Sequence, residues 1–251
     1  MKGYFYISII LLLFIIESTS FKQESVKLLG KKQSNNLGYS KMSGKDLKKY
    51  LLNPKVFIVD TRDMDISAAG YIPNTIICPT SMMYTQLIKI VPAGSEVIII
   101  SDLENYQGAI DSLISLKLYT LLGYGIYDEI NESSSFFIQV VEYDPNTVES
   151  IQEKVDNHDN ILDIREISEY IETGVIKESQ LIPLSTFPKD YKKIPDNGNV
   201  YVFCKSGKRA VVGMTYVKRA GYPNKFVIMQ GGMDKAIEEG YPVVPYPGQQ
   251  L

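Results

Sequence analysis

Two stretches of this chain repeat the same order of residues, and the repeat constrains the fold more than any other feature. Residues 56–62 read Val-Phe-Ile-Val-Asp-Thr-Arg, and residues 161–165 read Ile-Leu-Asp-Ile-Arg. The aspartates of these stretches lie 103 positions apart, and Ser101 and Cys204 each follow 41 positions after their own aspartate. A repeat of this kind predicts two copies of one folding unit along the chain.

Each copy alternates short apolar runs with helical segments. In residues 46–52 and 148–155 the apolar side chains recur at helical spacing, whereas residues 97–100 and 200–203 are short β-branched and aromatic runs. This alternation predicts an α/β fold in which parallel strands are buried between helices. Residues 131–146 are rich in polar and turn-forming side chains, which indicates the end of the first copy and a linker.

Cys204 follows directly after the apolar run, at the predicted carboxyl end of a strand. In parallel sheets ligands bind beyond that end of the strands. A loop with one glycine and three cations follows, and its backbone N–H groups and positive charge favour a thiolate over a thiol. The pattern predicts a nucleophilic cysteine in a cradle for an anionic substrate. The second cysteine, Cys78, lacks such surroundings and is interpreted as a small buried hydrophobe. The candidate cradle residues are Lys205, Ser206, Gly207, Lys208 and Arg209.

The loop Cys-Lys-Ser-Gly-Lys-Arg at residues 204–209 resembles the active-site loop of rhodanese-type sulfurtransferases, whose pattern is Cys-x-x-Gly-x-Arg. The resemblance covers roughly residues 145–246. Two family residues are missing, because Val175 stands in place of the usual histidine and the chain has no tryptophan to follow the glycine pair. The further matches are Asp163 and Arg165 after a strand, the runs at 174–176 and 182–184, and the glycine pair at 231–232.

The resemblance implies two tandem rhodanese-like domains, each a mostly parallel sheet flanked by helices. The repeat divides the chain into a first domain over residues 42–140 and a catalytic domain over residues 141–251. By the same resemblance, Cys204 would move sulfane sulfur from thiosulfate or a related small anionic donor to a thiol or cyanide-type acceptor. A persulfide on the cysteine would be the intermediate, and no cofactor is expected.

The loop residues receive roles from this mechanism. Arg209 and Lys208 would bind the anionic donor, and Lys205 would lower the pKa of the cysteine and orient the donor. Ser206 would either donate a hydrogen bond to the sulfur or only turn the chain. Gly207 is expected to supply a positive φ, which tight cradles need.

Asp163 and Arg165 have two interpretations. In the family this pair lies near the active loop, where the aspartate often holds the arginine, so a supporting role is implied. Alternatively, Asp163 is a strand-end residue that caps the next helix.

The first copy lacks the residues of the cradle. Ser101 occupies the position of the cysteine, and residues 102–108 contain two carboxylates and no arginine or lysine. Carboxylates repel an anionic donor, and no histidine lies in this copy to activate the serine. The first copy is therefore expected to be a degenerate domain that packs on the second.

Two other functions remain open. Cysteine phosphatases and arsenate reductases have a similar loop, but with five residues between cysteine and arginine where this chain has four, residues 205–208. A non-catalytic binding module of the rhodanese fold is the stronger alternative, because the first copy is degenerate and two family residues are missing from the second.

Composition limits the partners. The formal net charge of −3 provides no basic excess for nucleic-acid binding. One histidine and two cysteines are too few for a structural zinc site of four such ligands, so no metal is predicted.

The N-terminus resembles a targeting segment. Residues 1–20 combine a short cationic start, an apolar run over residues 3–16 and small residues at Ser18 and Ser20, which is typical of a secretory signal peptide. The run is shorter than the roughly 20 residues of a membrane span, although a short anchor is the alternative. Residues 21–41 are polar and indicate a flexible linker. We therefore expect an exported protein, periplasmic or secreted, or one attached to a membrane through this segment alone.

Overall fold

The computed structural model describes residues 39–249, so the predicted signal peptide and most of the predicted linker lie outside the described residues. In the described part the strands are β1 (Ser40–Lys41), β2 (Val56–Asp60), β3 (Ile76–Ile77), β4 (Glu96–Ser101), β5 (Thr120–Ile126), β6 (Glu142–Asp144), β7 (Asn160–Asp163), β8 (Gln180–Leu181), β9 (Val200–Phe203) and β10 (Phe226–Met229).

The helices connect these strands. In chain order they are α1 (Gly44–Lys48), α2 (Met64–Ala69), α3 (Ile88–Ile90), α4 (Tyr106–Leu116), α5 (Tyr127–Glu132), α6 (Val148–Asp156), α7 (Ile167–Thr173), α8 (Phe187–Asp190), α9 (Lys208–Arg219) and α10 (Gly232–Glu238). A π-helix at Met83–Leu87 precedes α3, and 3-10 turns lie at Thr80–Met82, Leu184–Thr186, Tyr191–Lys193 and Pro247–Gln249.

The two sheets share one topology, which confirms the predicted α/β class. The first contains β5, β4, β2 and β3 in that order, and the second contains β10, β9, β7 and β8 in the equivalent order. All these strand pairs are parallel, and β6 adds a further parallel strand beside β10. We refer to residues 42–140 as the first half and to residues 141–249 as the second half.

A buried ion pair occurs at the same place in both halves. The guanidinium of Arg62 lies 2.7 Å from the carboxylate of Asp60 and donates to the carbonyl of Gly70. Arg165 likewise lies 2.7 Å from the carboxylate of Asp163 and donates to the carbonyl of Gly174. Each arginine therefore ties the end of its strand to the glycine turn that follows the next helix.

Helix α6 agrees with its predicted range, whereas α1 differs from the prediction. Residues 46–52 were expected to be helical, but α1 is Gly44–Lys48, with Ser43 as its N-cap. The backbone N–H of Tyr50 bonds to the carbonyl of Leu47, three residues back, so the chain tightens into turns before Pro54.

Helix α9 joins the two halves. The hydroxyl of Thr215 accepts a hydrogen bond from the backbone N–H of Ile77 on edge strand β3, with an N···O distance of 3.1 Å. At the end of α9, Arg219 donates to backbone carbonyls of the first half, including that of Val56 at 2.7 Å. The carboxyl-terminal part of the helix that follows the Cys204 loop is thus anchored to the first sheet.

Candidate active site

Cys204 lies at the carboxyl end of β9, where the sheet meets the loop at residues 205–207. The side chain is fully buried. Helix α9 begins at Lys208, so the first turn of the helix faces the sulfur. The structure therefore places Cys204 at the predicted junction of strand, loop and helix.

The loop backbone surrounds the sulfur with donors. The N–H groups of Ser206, Gly207 and Ala210 lie near the sulfur of Cys204 and act to lower the pKa of its thiol. This arrangement depends on Gly207, which has a φ of +89° and is the N-cap of α9. A side chain at that position would be strained, which agrees with the backbone role expected of Gly207.

The glycine pair fixes the opposite side of the loop. Gly232 has a φ of +61°, and a Cβ there would overlap the carbonyl oxygen of Cys204 and lie 2.6 Å from that of Lys205. The backbone N–H of Met233 donates to the carbonyl of Cys204 at 2.8 Å, and that of Asp234 donates to the carbonyl of Lys205 at 3.0 Å. Because these two carbonyls point toward α10, the loop N–H groups point the other way, toward the sulfur.

The three loop cations differ in their surroundings. Lys205 and Lys208 are exposed. Arg209 is largely buried, with 14% of its side chain exposed, and both its terminal nitrogens lie 2.6 Å from the carboxylate oxygens of Glu169 on α7. Arg209 was expected to bind the donor, but its guanidinium in this structure is held by Glu169.

The ionisation of Cys204 also differs from the expectation. Burial raises the pKa of the Cys204 thiol, while the N–H of Ala210, the charge of Arg209 and the N–H groups of Ser206 and Gly207 oppose the increase. Burial outweighs them because the closed loop removes the sulfur from water. Lys205, which was expected to lower this pKa, is exposed to solvent.

Asp163 ends β7, the strand that pairs with β9, and Arg165 follows two residues later. Both are almost fully buried, and the N–H of Ile164 donates to the carbonyl of Phe203, the residue before Cys204. Burial raises the pKa of Asp163, and Arg165 opposes that shift. The N-cap of α7 is Glu166, so Asp163 does not cap that helix.

Glu169 is the site residue that the sequence reasoning missed. Burial disfavours its ionisation, but Arg209 and the N–H of Glu166 lower the pKa of Glu169 overall. The carboxylate reaches Arg209 across 40 positions of sequence. The only local signal is its place three residues after the N-cap, which predicts a capping box and does not identify a partner for Arg209.

The equivalent loop of the first half is closed by its own side chains. Ser101 is fully buried, and its hydroxyl has no hydrogen-bond partner within residues 39–249. The carboxylate of Asp102 accepts hydrogen bonds from the backbone N–H of Asn105 at 2.8 Å and from its side-chain amide at 2.9 Å. A carboxylate of this loop is thus bound by the loop's own backbone and side chain.

A cavity of about 450 Å³ adjoins the Cys204 loop. Its walls come from both halves: α2 of the first half, the segment that connects the halves, and the loop at residues 206–208. Met64 and Ala68 make the first-half wall partly apolar, and Asp65 and Lys208 place opposite charges at the cavity. A small molecule in this cavity would contact both halves.

The described part of the chain contains neither a membrane-spanning helix nor a cluster of metal-binding side chains. Within residues 39–249 no helix has the length and apolar character needed to cross a membrane. The same residues contain no group of three or more histidine, cysteine or acidic side chains arranged to hold a metal ion.

Known proteins resemble the second half. Residues 144–239 match the family model of the rhodanese-like domain. YrkF of Bacillus subtilis (strain 168), whose name proposes a sulfur-carrier role, is 32% identical over 90 residues, which are 35% of this chain and 48% of YrkF. A sulfurtransferase of Allochromatium vinosum is 28% identical over 102 residues, which are 40% of this chain and 94% of that protein.

Solved structures include a rhodanese-related protein from Thermoplasma volcanium. The two proteins are 28% identical over a match that includes 42% of this chain and 99% of the Thermoplasma protein, with a TM-score of 0.37. The match to YrkF spans about half of that relative's length. The matched residues also contain the strand that Cys204 follows and its parallel neighbours. The chain therefore contains a rhodanese-like domain at residues 144–239.

Proposed function

We propose that the protein is a sulfurtransferase that carries sulfane sulfur on Cys204. The observation that supports this most directly is the position of Cys204 between the end of β9 and the start of α9, where the N–H groups of Ser206, Gly207 and Ala210 favour a negative charge on its sulfur. The same donors would stabilise the negative terminal sulfur of a persulfide. Two relatives, one named as a sulfurtransferase and one as a proposed sulfur carrier, support the same chemistry.

The proposed reaction has two half-reactions. The Cys204 thiolate attacks the outer sulfur of thiosulfate, the sulfur–sulfur bond of the donor breaks, and its electron pair leaves with sulfite. A thiol or cyanide-type acceptor then attacks the terminal sulfur of the persulfide, whose sulfur–sulfur bond breaks to restore the thiolate. Neither half-reaction needs a cofactor, and ping-pong kinetics are expected.

The surrounding residues receive roles from their positions. Exposed Lys205 and Lys208 would attract the anionic donor to the cavity beside the loop. Arg209 would act on the sulfur through its charge while Glu169 holds it in place. Asp163 and Arg165 would support the strand end beneath the loop.

The repeat suggests the role of the remaining chain. We propose tandem rhodanese-like domains, with a degenerate first domain at residues 42–140 and a catalytic domain at residues 141–251. The shared strand order, the duplicated buried ion pair and the carboxylate in the first loop support this division.

One observation favours the alternative of a non-catalytic binding module. Cys204 is fully buried, and burial raises the pKa of its thiol, so the closed loop alone does not present a thiolate to a donor. A sulfurtransferase must admit the donor by movement of the loop, whereas a binding module need not. Sulfur loading distinguishes the two functions.

The decisive experiment is intact mass spectrometry after incubation with thiosulfate. We expect the wild-type protein and Cys78→Ala to gain one sulfur atom, and Cys204→Ser to gain none. Cys78 is a matched control because it is also a free, fully buried cysteine. If no sulfur is gained from thiosulfate, mercaptopyruvate or a low-molecular-weight persulfide, the proposed activity is wrong.

We also propose that residues 1–20 direct export. The support is the cationic, apolar and small-residue order of this segment. Sequencing of the N-terminus of the exported form is expected to begin near Phe21, and a start at Met1 would favour an uncleaved anchor.

A further inference from the structure

We propose that Lys89, in the first half, is a positioning residue for the Cys204 loop and acts through Glu166 and Glu169 at the start of α7. The inference rests on the proposed role of Cys204. It gives the half without a cysteine loop a direct part in the chemistry of the other half.

The chain of contacts begins between the halves. The ammonium group of Lys89 lies 2.8 Å from one carboxylate oxygen of Glu166, and the hydroxyl of Ser185 donates to the other oxygen at 2.7 Å. The side chains of Lys89 and Glu166 are 27% and 24% exposed, so the pair is partly shielded from water. Both carboxylate oxygens are therefore occupied, and the side chain of Glu166 has a fixed position.

Glu166 is the N-cap of α7, so its position determines where the helix begins. Its backbone N–H donates to the carboxylate of Glu169 at 3.0 Å. That carboxylate receives both terminal nitrogens of Arg209 at 2.6 Å. A displacement of Glu166 would therefore move the carboxylate that holds the loop arginine.

The contacts also form a row of charges in which two carboxylates lie between two cations. Lys89 is positive, Glu166 and Glu169 are negative, and Arg209 is positive next to the sulfur of Cys204. Loss of Lys89 leaves the charge of Glu166 uncompensated and weakens the positive field of Arg209 at the sulfur. The other charged groups near the loop are unchanged by that loss, namely Lys205, Lys208, Asp163, Arg165 and Asp234.

The test compares Lys89→Met with Lys49→Met in the full chain. Lys49 is a matched control because it is also a first-half lysine in an ion pair, but its partner, Asp46, lies on the neighbouring helix α1. We expect Lys89→Met to lower the rate of Cys204 alkylation by iodoacetamide at a fixed pH by about threefold, in the range of a partly exposed ion pair. The kcat/KM for thiosulfate should fall by a similar factor, and Lys89→Arg should retain both values.

A double-mutant cycle separates positioning from a general loss of stability. In a Glu166→Gln background the proposed charge contact is already gone, so Lys89→Met should have no further effect on alkylation. The inference is overturned if Lys89→Met behaves like Lys49→Met, or if its effect persists unchanged with Glu166→Gln. Wild-type protein that takes up no sulfur would contradict the proposed function instead, and the alkylation rates would still test the positioning role.

Discussion

Cys204 is subject to two opposing effects that act on a single atom. Complete burial disfavours the thiolate, whereas three N–H groups and the charge of Arg209 favour it. The N–H groups and Arg209 are already in place around the sulfur. Opening of the loop to thiosulfate would therefore remove the effect of burial and leave the effects that stabilise the thiolate. Without substrate, Cys204 would then remain a buried thiol that is shielded from solvent. It would ionise when the sulfur donor binds.

The pH dependence of Cys204 alkylation tests this balance. Since burial raises the pKa of the thiol, the thiolate fraction at neutral pH is low and increases with pH. We expect the alkylation rate by iodoacetamide to continue to increase through the range in which an ordinary thiol is already ionised. Cys204→Ser gives the background rate from Cys78. A plateau near neutral pH would contradict the closed, buried state as the main state in solution.

Sequence predicted some of these residues and could not predict others. The cysteine, Gly207 and the glycine pair are recognisable because their spacing is local and because positive φ strongly favours glycine. Glu169 and Lys89 act across 40 and 77 positions, so only the folded chain brings them to their partners. For the same reason the loss of Arg209 as a free cation could not be foreseen.

Among the secondary-structure elements, helix α10 determines the shape of the Cys204 loop through its first turn. Its first N–H groups bind the loop carbonyls, and Gly231 and Gly232 permit this approach with φ values of +77° and +61°. The α/β class with parallel strands was predictable from the alternation of apolar runs and helical segments, but the bounds of short α1 were not, since capping and turn bonds determined them. The sequence predicted the loop and the glycine pair as separate features, and only the structure shows that α10 contacts the loop.

Replacement of Gly232 by alanine should damage the site more than the fold. Its Cβ would overlap the carbonyl of Cys204, so the loop must move, and the left-handed backbone adds strain of about 1–2 kcal/mol. We expect Gly232→Ala to lose sulfur loading by mass spectrometry and to lower the urea midpoint. Gly240→Ala is the control, because its φ is +87° and a Cβ there meets nothing within 4 Å. Equal loading in both variants would contradict the proposed contact.

Across the whole molecule, the first half supports the helix that carries the loop. Helix α9 packs on edge strand β3, and Lys89 reaches α7 from the same half. The first half also contributes Met64 and Ala68 to the cavity beside the loop. A half without a reactive cysteine thus determines the position of the loop helix, the start of α7 and one wall of the cavity.

Arg219 tests this support at the contact between the halves. Its guanidinium donates to the carbonyls of Asn53, Pro54 and Val56 and lies 4.1 Å from the centre of the Phe57 ring. Burial lowers the pKa of Arg219, which is consistent with a cation that is shielded from water between the halves. Arg219→Met keeps the aliphatic packing but removes the donors. Charge-assisted hydrogen bonds contribute roughly 2 kcal/mol to stability, so the free energy of unfolding should fall by about that amount.

Urea unfolding and amide hydrogen exchange together measure this effect. For Arg219→Met we expect a lower urea midpoint and faster exchange in both β3 and α9, because the contact stabilises both elements. Lys193→Met is the control, since Lys193 forms an exposed ion pair with Asp190 and should change the unfolding free energy by less than about 1 kcal/mol. Exchange that accelerates in only one of the two elements, or a midpoint equal to that of the control, would mean that α9 holds its position without the first half. The cysteine loop would then depend on the second half alone.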